Sequence, residues 1–287
     1  MPQNTHRRTV LILVLGGACL LLLGGIWKER HVFTGTAVSS AVTLPPAQPF
    51  QPVIATTPEV VSSSSSIQHQ KNKKIPAKAV QTATSTNPLV WNGPLPASVN
   101  LAVPFLSQAP TGNWALPYQE ACEEASLIMV NAYESGRTQA FSSTEGDAAI
   151  VALTNFSGNM FQGRTDTSAQ ETGEFGQAFF PHRAFIVAPV HSVQDIQRVL
   201  ANGYPVIVPA DGKALHNPHF HNGGPVYHML VIKGYTADGR WIMNDSGTQY
   251  GANYLYDRDV LMNAIHDWNG GDVPHGQAVM LLFLPTH

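Results

Sequence analysis

The stretch that most constrains this chain is Pro117 to Gly136, PYQEACEEASLIMVNAYESG. Ala125, Ile128, Met129, Ala132 and Tyr133 recur at intervals of three and four residues, the spacing of one face of an amphipathic helix. Gly136 supplies the C-terminal stop, and Pro117 lies just upstream, where the helix has not begun. Cys122 therefore falls in the first turn. Unpaired N–H groups and the helix dipole favour an anion there, and a thiol pKa can fall below its free value of about 8.5. The competing reading is a small apolar residue packed at a helix start, because free cysteine is among the most buried residue types.

The cysteine count bears on that choice. Of 287 residues only Cys19 and Cys122 are cysteines, and Cys19 lies inside an uncharged apolar run. The remainder carries one thiol and no internal disulfide. An unpaired cysteine outside the cytoplasm is a liability unless it is buried or used. The formal charge of -3 is neither basic enough to suggest nucleic acid nor acidic enough to suggest a solvating tail.

Residues 1–30 read as a short cytoplasmic tail and a membrane span. Thr9 to Trp27 runs nineteen residues without a charge between Arg8 and Lys28, enough to cross about 30 Å of hydrocarbon. A cleaved signal peptide would have a shorter apolar region and a clear small-residue site. The expectation is an uncleaved signal anchor, with the bulk of the chain outside the cell membrane. Residues 31–98 are rich in Ser, Thr, Pro, Ala, Val and Gln, with five serines at Ser62–Ser66 and a basic knot at Lys71, Lys73 and Lys74. Few aromatics and no periodicity predict a disordered linker that holds a domain away from the surface.

The globular domain is expected over 99–287. Val99 to Phe105 reads as an edge strand, and the helix at Cys122 follows. Thr144 with Asp147 resembles a capping box opening a helix to about Asn155. Residues 157–182 are polar and Gly-rich and carry no assignment. Phe185 to Val190 and Pro205 to Pro209 read as strands, with a helix at Val193 to Ala201 between them. After the His-rich loop HNPHFHNGGP come strands at Val226 to Tyr235 and Arg240 to Asn244, a helix over about Asp257 to Trp268, and a closing strand at Ala278 to Leu284. Helices followed by mostly antiparallel strands define an α+β order.

The hairpin is the second informative stretch. His228 starts one strand, Asp245 lies just past the end of the next, and the turn at Thr236–Gly239 brings those ends together. An even loop would put both on one face, and an odd loop on opposite faces, because side chains alternate along strands. A carboxylate on one ring nitrogen would orient the imidazole and leave the other nitrogen to take a thiol proton. Cys122, His228 and Asp245 would then be nucleophile, base and orienter.

Val103-Pro104-Phe105-Leu106-Ser107-Gln108, Gln119 to Ser126, Tyr227 to Val231 with Gly234-Tyr235, and Asn244-Asp245 together resemble the family 39-like cysteine peptidases. That papain-like group includes the bacteriocin leader peptidases. The likeness covers roughly 99–287 and implies a papain-like α+β fold, a helix carrying the cysteine against an antiparallel sheet carrying the histidine and aspartate. By position it implies Cys122 as nucleophile, His228 as general base and acid, Asp245 as orienter, and an upstream glutamine helping to form the oxyanion hole. The usual spacing falls on Leu116; Gln108 lies fourteen residues before Cys122 and Gln119 three before it, with Gln108 preferred. Glu123-Glu124 replaces the more usual glycine after the cysteine.

Trp114, Tyr118 and Tyr227 flank the site in sequence and are candidates for lining a substrate groove. His216, His219 and His221 match no strong zinc motif and read as the polar rim of the cleft, so no metal and no cofactor is expected. The reading is a membrane-anchored extracytoplasmic cysteine hydrolase acting on a peptide or protein, with cell-wall peptide among the candidate substrates. The alternatives are a cell-wall peptide amidase, a catalytically silent papain-like binding module, and a metal protein built on the histidine cluster.

Overall fold

The computed structural model of this protein describes residues 42–51 and 87–286. The expected span Thr9–Trp27 and most of the expected linker lie outside these residues; among the described ones, no helix is long and apolar enough to cross a membrane. The described residues from Thr43 onward form one unit.

Val99–Asn100 is β1. Five α-helices follow among the described residues: α1 (Cys122–Glu134), α2 (Ser143–Met160), α3 (Ala169–Phe179), α4 (Val193–Ala201) and α5 (Arg258–Ala264). The strands among and after them are β2 (Arg183–Pro189), β3 (Val206–Ala210), β4 (His228–Tyr235), β5 (Trp241–Asn244), β6 (Ala252–Tyr256) and β7 (Val279–Pro285). They form one sheet in the order β2-β7-β3-β4-β5-β6, with β1 against the end of β4, and every paired neighbour is antiparallel. The expected α+β class is what the structure has.

The helix at Cys122 is not the half-exposed helix its stripe predicted. Every residue of α1 except Asn131 is buried, because β4 and β7 pack on it from one side and α2 and α3 from the other. Three glutamates are buried with it, and each has found a partner, as burial of a polar group requires. Ser157 Oγ donates to Glu124 Oε1 at 2.5 Å, and Arg183 Nη1 reaches Glu134 Oε2 at 3.0 Å. Burial pushes Glu134 up and the guanidinium opposes it. Arg183 is also bonded to Asn131 and Ser135, which keeps its guanidinium beside Glu134. Glu123 belongs to the site described below.

Three expectations are corrected. The box opening α2 is Ser142 with Glu145, two residues before the expected start, and the helix runs on to Met160. The unassigned region contains α3, capped by a Ser168–Glu171 box. Its glycines, which read as loop residues, are packing contacts: a Cβ on Gly173 would collide with the Phe185 ring, and one on Gly176 with Leu127. The ordered unit also begins well before Val99. Gln48 pairs with the backbone of Asn100 and Ala102 at 2.8 and 2.7 Å, Phe50 stacks edge-on against Tyr133, and Asn202 Nδ2 donates to the carbonyls of Pro88 and Val90. These contacts use mainly backbone groups, so composition gives no sign of them.

Candidate active site

β4 and β5 are joined by the five residues Thr236–Arg240, an odd connection. On parity alone His228 and Asp245 would face opposite ways. The register slips by one at Lys233, between the pairs Ile232–Met243 and Gly234–Ile242. That bulge restores the parity, as an extra residue on one strand must. Lys233 is buried at the bulge and donates from Nζ to Asn253 Oδ1 at 2.7 Å, and burial lowers its pKa to about 8. Gly234 follows because β1 crosses there: a Cβ at this position would strike the carbonyl oxygen of Val99.

With both side chains on one face, His228 Nε2 and Asp245 Oδ1 are 2.8 Å apart and fully enclosed. Asp245 is saturated. Its Oδ1 also accepts from the Gly247 N–H at 3.1 Å, and Oδ2 accepts from Tyr256 Oη at 2.6 Å and Asn217 Nδ2 at 3.0 Å. Burial alone would raise this carboxyl, but His228 and these donors outweigh it and hold its pKa below the usual carboxylate value. Phe220 meets the imidazole edge-on at 5.4 Å. Gly247 lies against the ring edge, where a Cβ would sit 2.9 Å from Cε1. The ring therefore has one position, with Nδ1 as its remaining nitrogen.

Cys122 opens α1 beside this pair. It is a buried free thiol, and Cys122 and His228 line the same cavity of about 350 Å³. Sγ donates to Glu123 Oε2 at 3.0 Å. The depressed thiol pKa anticipated from the helix dipole is not what this environment produces. Burial, then the charge and hydrogen bond of Glu123, push the thiol well above its ordinary value. Glu123 is itself raised to about 8, by burial and by Glu124, although the Cys122 thiol and the Thr167 N–H donate to it.

The other anticipated residues divide. Gln108 is buried and reaches the cavity, but Nε2 donates to the carbonyls of Tyr118 and Gln119 at 2.9 and 3.0 Å, and Oε1 accepts from Ser246 Oγ. It clamps the turn before Cys122 to the residue after Asp245. Gln119 is exposed at the cavity and spends one amide hydrogen on Glu120. Trp114 and Tyr227 line the cavity; Tyr227 Oη donates to the Thr167 carbonyl at 2.8 Å. Tyr118 does not line it and donates instead to Asp147 of α2 at 2.6 Å. Leu116 is exposed and absent from the lining. Of the histidine cluster only His221 reaches the cavity, and among the described residues no three His, Cys, Asp or Glu side chains are grouped as metal ligands. Asn217, Tyr256, Phe220 and Gly247 were not foreseen. Tyr256 and Asn217 lie eleven and twenty-eight residues from Asp245 in sequence, and no local pattern marks them.

A thiol at a helix start thus lines one cavity with an imidazole whose carboxylate partner lies buried behind it. The chain belongs to the Peptidase_C39 like family, whose profile matches residues 100–270. No curated protein matches the sequence. Among solved structures, it is similar to that of a C39-like peptidase from Bacillus anthracis, at 15% identity and TM-score 0.43, covering 65% of this chain and 97% of that one. It is also similar to the interpain A cysteine protease of Prevotella intermedia, at 14% identity and TM-score 0.38, covering 66% and 95%. A third is the digestive procathepsin L 3 of Tenebrio molitor, at 13% identity and TM-score 0.35, covering 70% and 73%.

Proposed function

We propose that this protein is a membrane-anchored, extracytoplasmic cysteine hydrolase that cleaves a peptide or amide bond through Cys122, His228 and Asp245. The observation that carries the reading is the single cavity shared by the Cys122 thiol and an imidazole locked by a saturated carboxylate. Cys122 Sγ gives its proton to His228 Nδ1 and attacks the carbonyl carbon. The imidazolium is stabilised by Asp245 and then protonates the departing amine as the C–N bond breaks. Water, deprotonated by the same imidazole, attacks the thioester and releases the acid and the free thiol.

The developing oxyanion would be held by the Cys122 backbone N–H, which has no intrahelical acceptor in the first turn, and by a glutamine. Both amide hydrogens of Gln108 are committed to carbonyls in this structure, while Gln119 keeps one. Gln108 would need to exchange a bond to serve.

The test is cleavage of a mixed peptide pool, including cell-wall stem peptides, followed by mass spectrometry. Wild type should release fragments, and Cys122→Ala and His228→Ala should release none. Gln108→Ala or Gln119→Ala, whichever donates, should lose on the order of a hundredfold. Cleavage surviving in Cys122→Ala would end the reading.

A further inference from the structure

The thiol of Cys122 is turned toward a carboxylate as well as sharing a cavity with an imidazole. Its one hydrogen bond to a side chain goes to Glu123 Oε2, at 3.0 Å. Glu123 is 98% buried, lines the cavity, and is pinned at Oε1 by the Thr167 N–H at 3.2 Å. A buried carboxyl that accepts the thiol's hydrogen bond holds the proton on sulfur, and above about pH 8, where Glu123 ionises, its charge also repels a thiolate in a poorly solvated place. A nucleophile is normally paired with a base that would become a cation. Among the described residues no lysine or arginine lines the cavity; Arg164 acts on Asp166 at its wall. Glu124 follows on the same helix, and Glu120 lies in the turn before it. Asp166 adjoins Thr167, and Tyr227 packs in front with Asp267 behind it. His221 and His228 are the imidazoles on the cavity wall.

We infer that Glu123 is a positioning residue that holds the Cys122 thiol protonated and turned away from His228 until an occupied cavity frees it. The inference rests on the proposed hydrolase reading and deepens it. At rest the Sγ–H bond stays intact and points at the carboxylate. When substrate fills the cavity, the Sγ–Oε2 hydrogen bond breaks, the sulfur swings to His228 Nδ1, and the proton passes there as the thiolate attacks. No proton goes to Glu123, which separates this role from that of a general base. The consequence is a cysteine sheltered from stray electrophiles and oxidants outside the cell.

The direct test is the rate of carboxamidomethylation of Cys122 by iodoacetamide across acid to alkaline pH, on the full chain, with labelling read at Cys122 by peptide mapping. Glu123→Gln keeps the shape and an acceptor oxygen but removes the charge. Its reactivity profile should move to lower pH by about one to two units, giving at least tenfold faster labelling above about pH 8, where Glu123 is ionised. His228→Ala in the Glu123→Gln background should cancel that gain. Glu123→Asp keeps the charge but withdraws it by one methylene, and should fall between the two; it also decides the matter if the glutamine variant folds poorly. A profile that stays in place, or moves to higher pH, in Glu123→Gln overturns the inference. A wild-type profile insensitive to His228, together with the expected shift in Glu123→Gln, would sink the hydrolase reading and leave the restraint by Glu123 standing.

Discussion

At the residue scale, the centre of this protein is an aspartate with every oxygen spoken for. Asp245 accepts four hydrogen bonds, from His228, Gly247, Tyr256 and Asn217. Tyr256 is the shortest contact at 2.6 Å, and Asn217 Nδ2 is shared between Asp245 and the Tyr256 oxygen. Tyr256→Phe leaves Asp245 one donor short in a buried site. We expect a loss of about 1–3 kcal/mol in unfolding free energy, read by denaturant titration. The same variant should slow peptide cleavage, because the imidazole is less firmly held. Cleavage unchanged alongside the stability loss would assign Tyr256 to the fold alone.

At the element scale, the decisive feature is the bulge in β4. The extra residue Lys233 cancels the odd length of the Thr236–Arg240 connection, and only then do His228 and Asp245 share a face. Gly234 lets β1 lie against that bulge without collision. Gly234→Ala forces β1 or β4 to shift, and overpacking of this kind costs about 1–3 kcal/mol. A lower melting temperature in the variant checks it; an unchanged one would mean that β1 yields freely. The sequence displayed the two ends of the hairpin and the need for matched parity. It did not display the bulge, because a slip in register depends on the hydrogen bonds of two neighbouring strands rather than on residue type.

At the scale of the whole molecule, buried carboxyls on α1 make stability depend on pH. Glu123 titrates at about 8 in the fold, raised first by burial and then by Glu124, against about 4.3 in an unfolded chain. A raised carboxyl means that the native state binds more protons than the unfolded state between those values. Stability is therefore full below the unfolded pKa and declines as pH rises toward 8. Glu124 is shifted in the same direction. Asp245 works oppositely: its pKa is lowered, so its contribution is present above the unfolded value and lost as pH falls through the folded one. The melting temperature should peak in mildly acid solution and drop toward pH 8, and Glu123→Gln should flatten that drop by on the order of 3 kcal/mol. Scanning calorimetry over that range decides it; a melting temperature that climbs steadily to pH 8 contradicts the buried-acid account.

Much of the candidate site was legible before any tertiary structure. Cysteine count and helical periodicity singled out Cys122, and strand alternation around a turn singled out His228 and Asp245. These are local signals, carried by spacing within one helix and one hairpin. The α+β class followed from the order of such elements. What the sequence could not determine is what each element meets. The stripe on α1 reads as one buried face, yet strands and helices enclose both sides and bring three glutamates inside. The first turn of α1 predicts a favoured thiolate, yet enclosure and Glu123 oppose one. Burial and long-range charge come from residues distant in sequence, so only the tertiary structure could decide them.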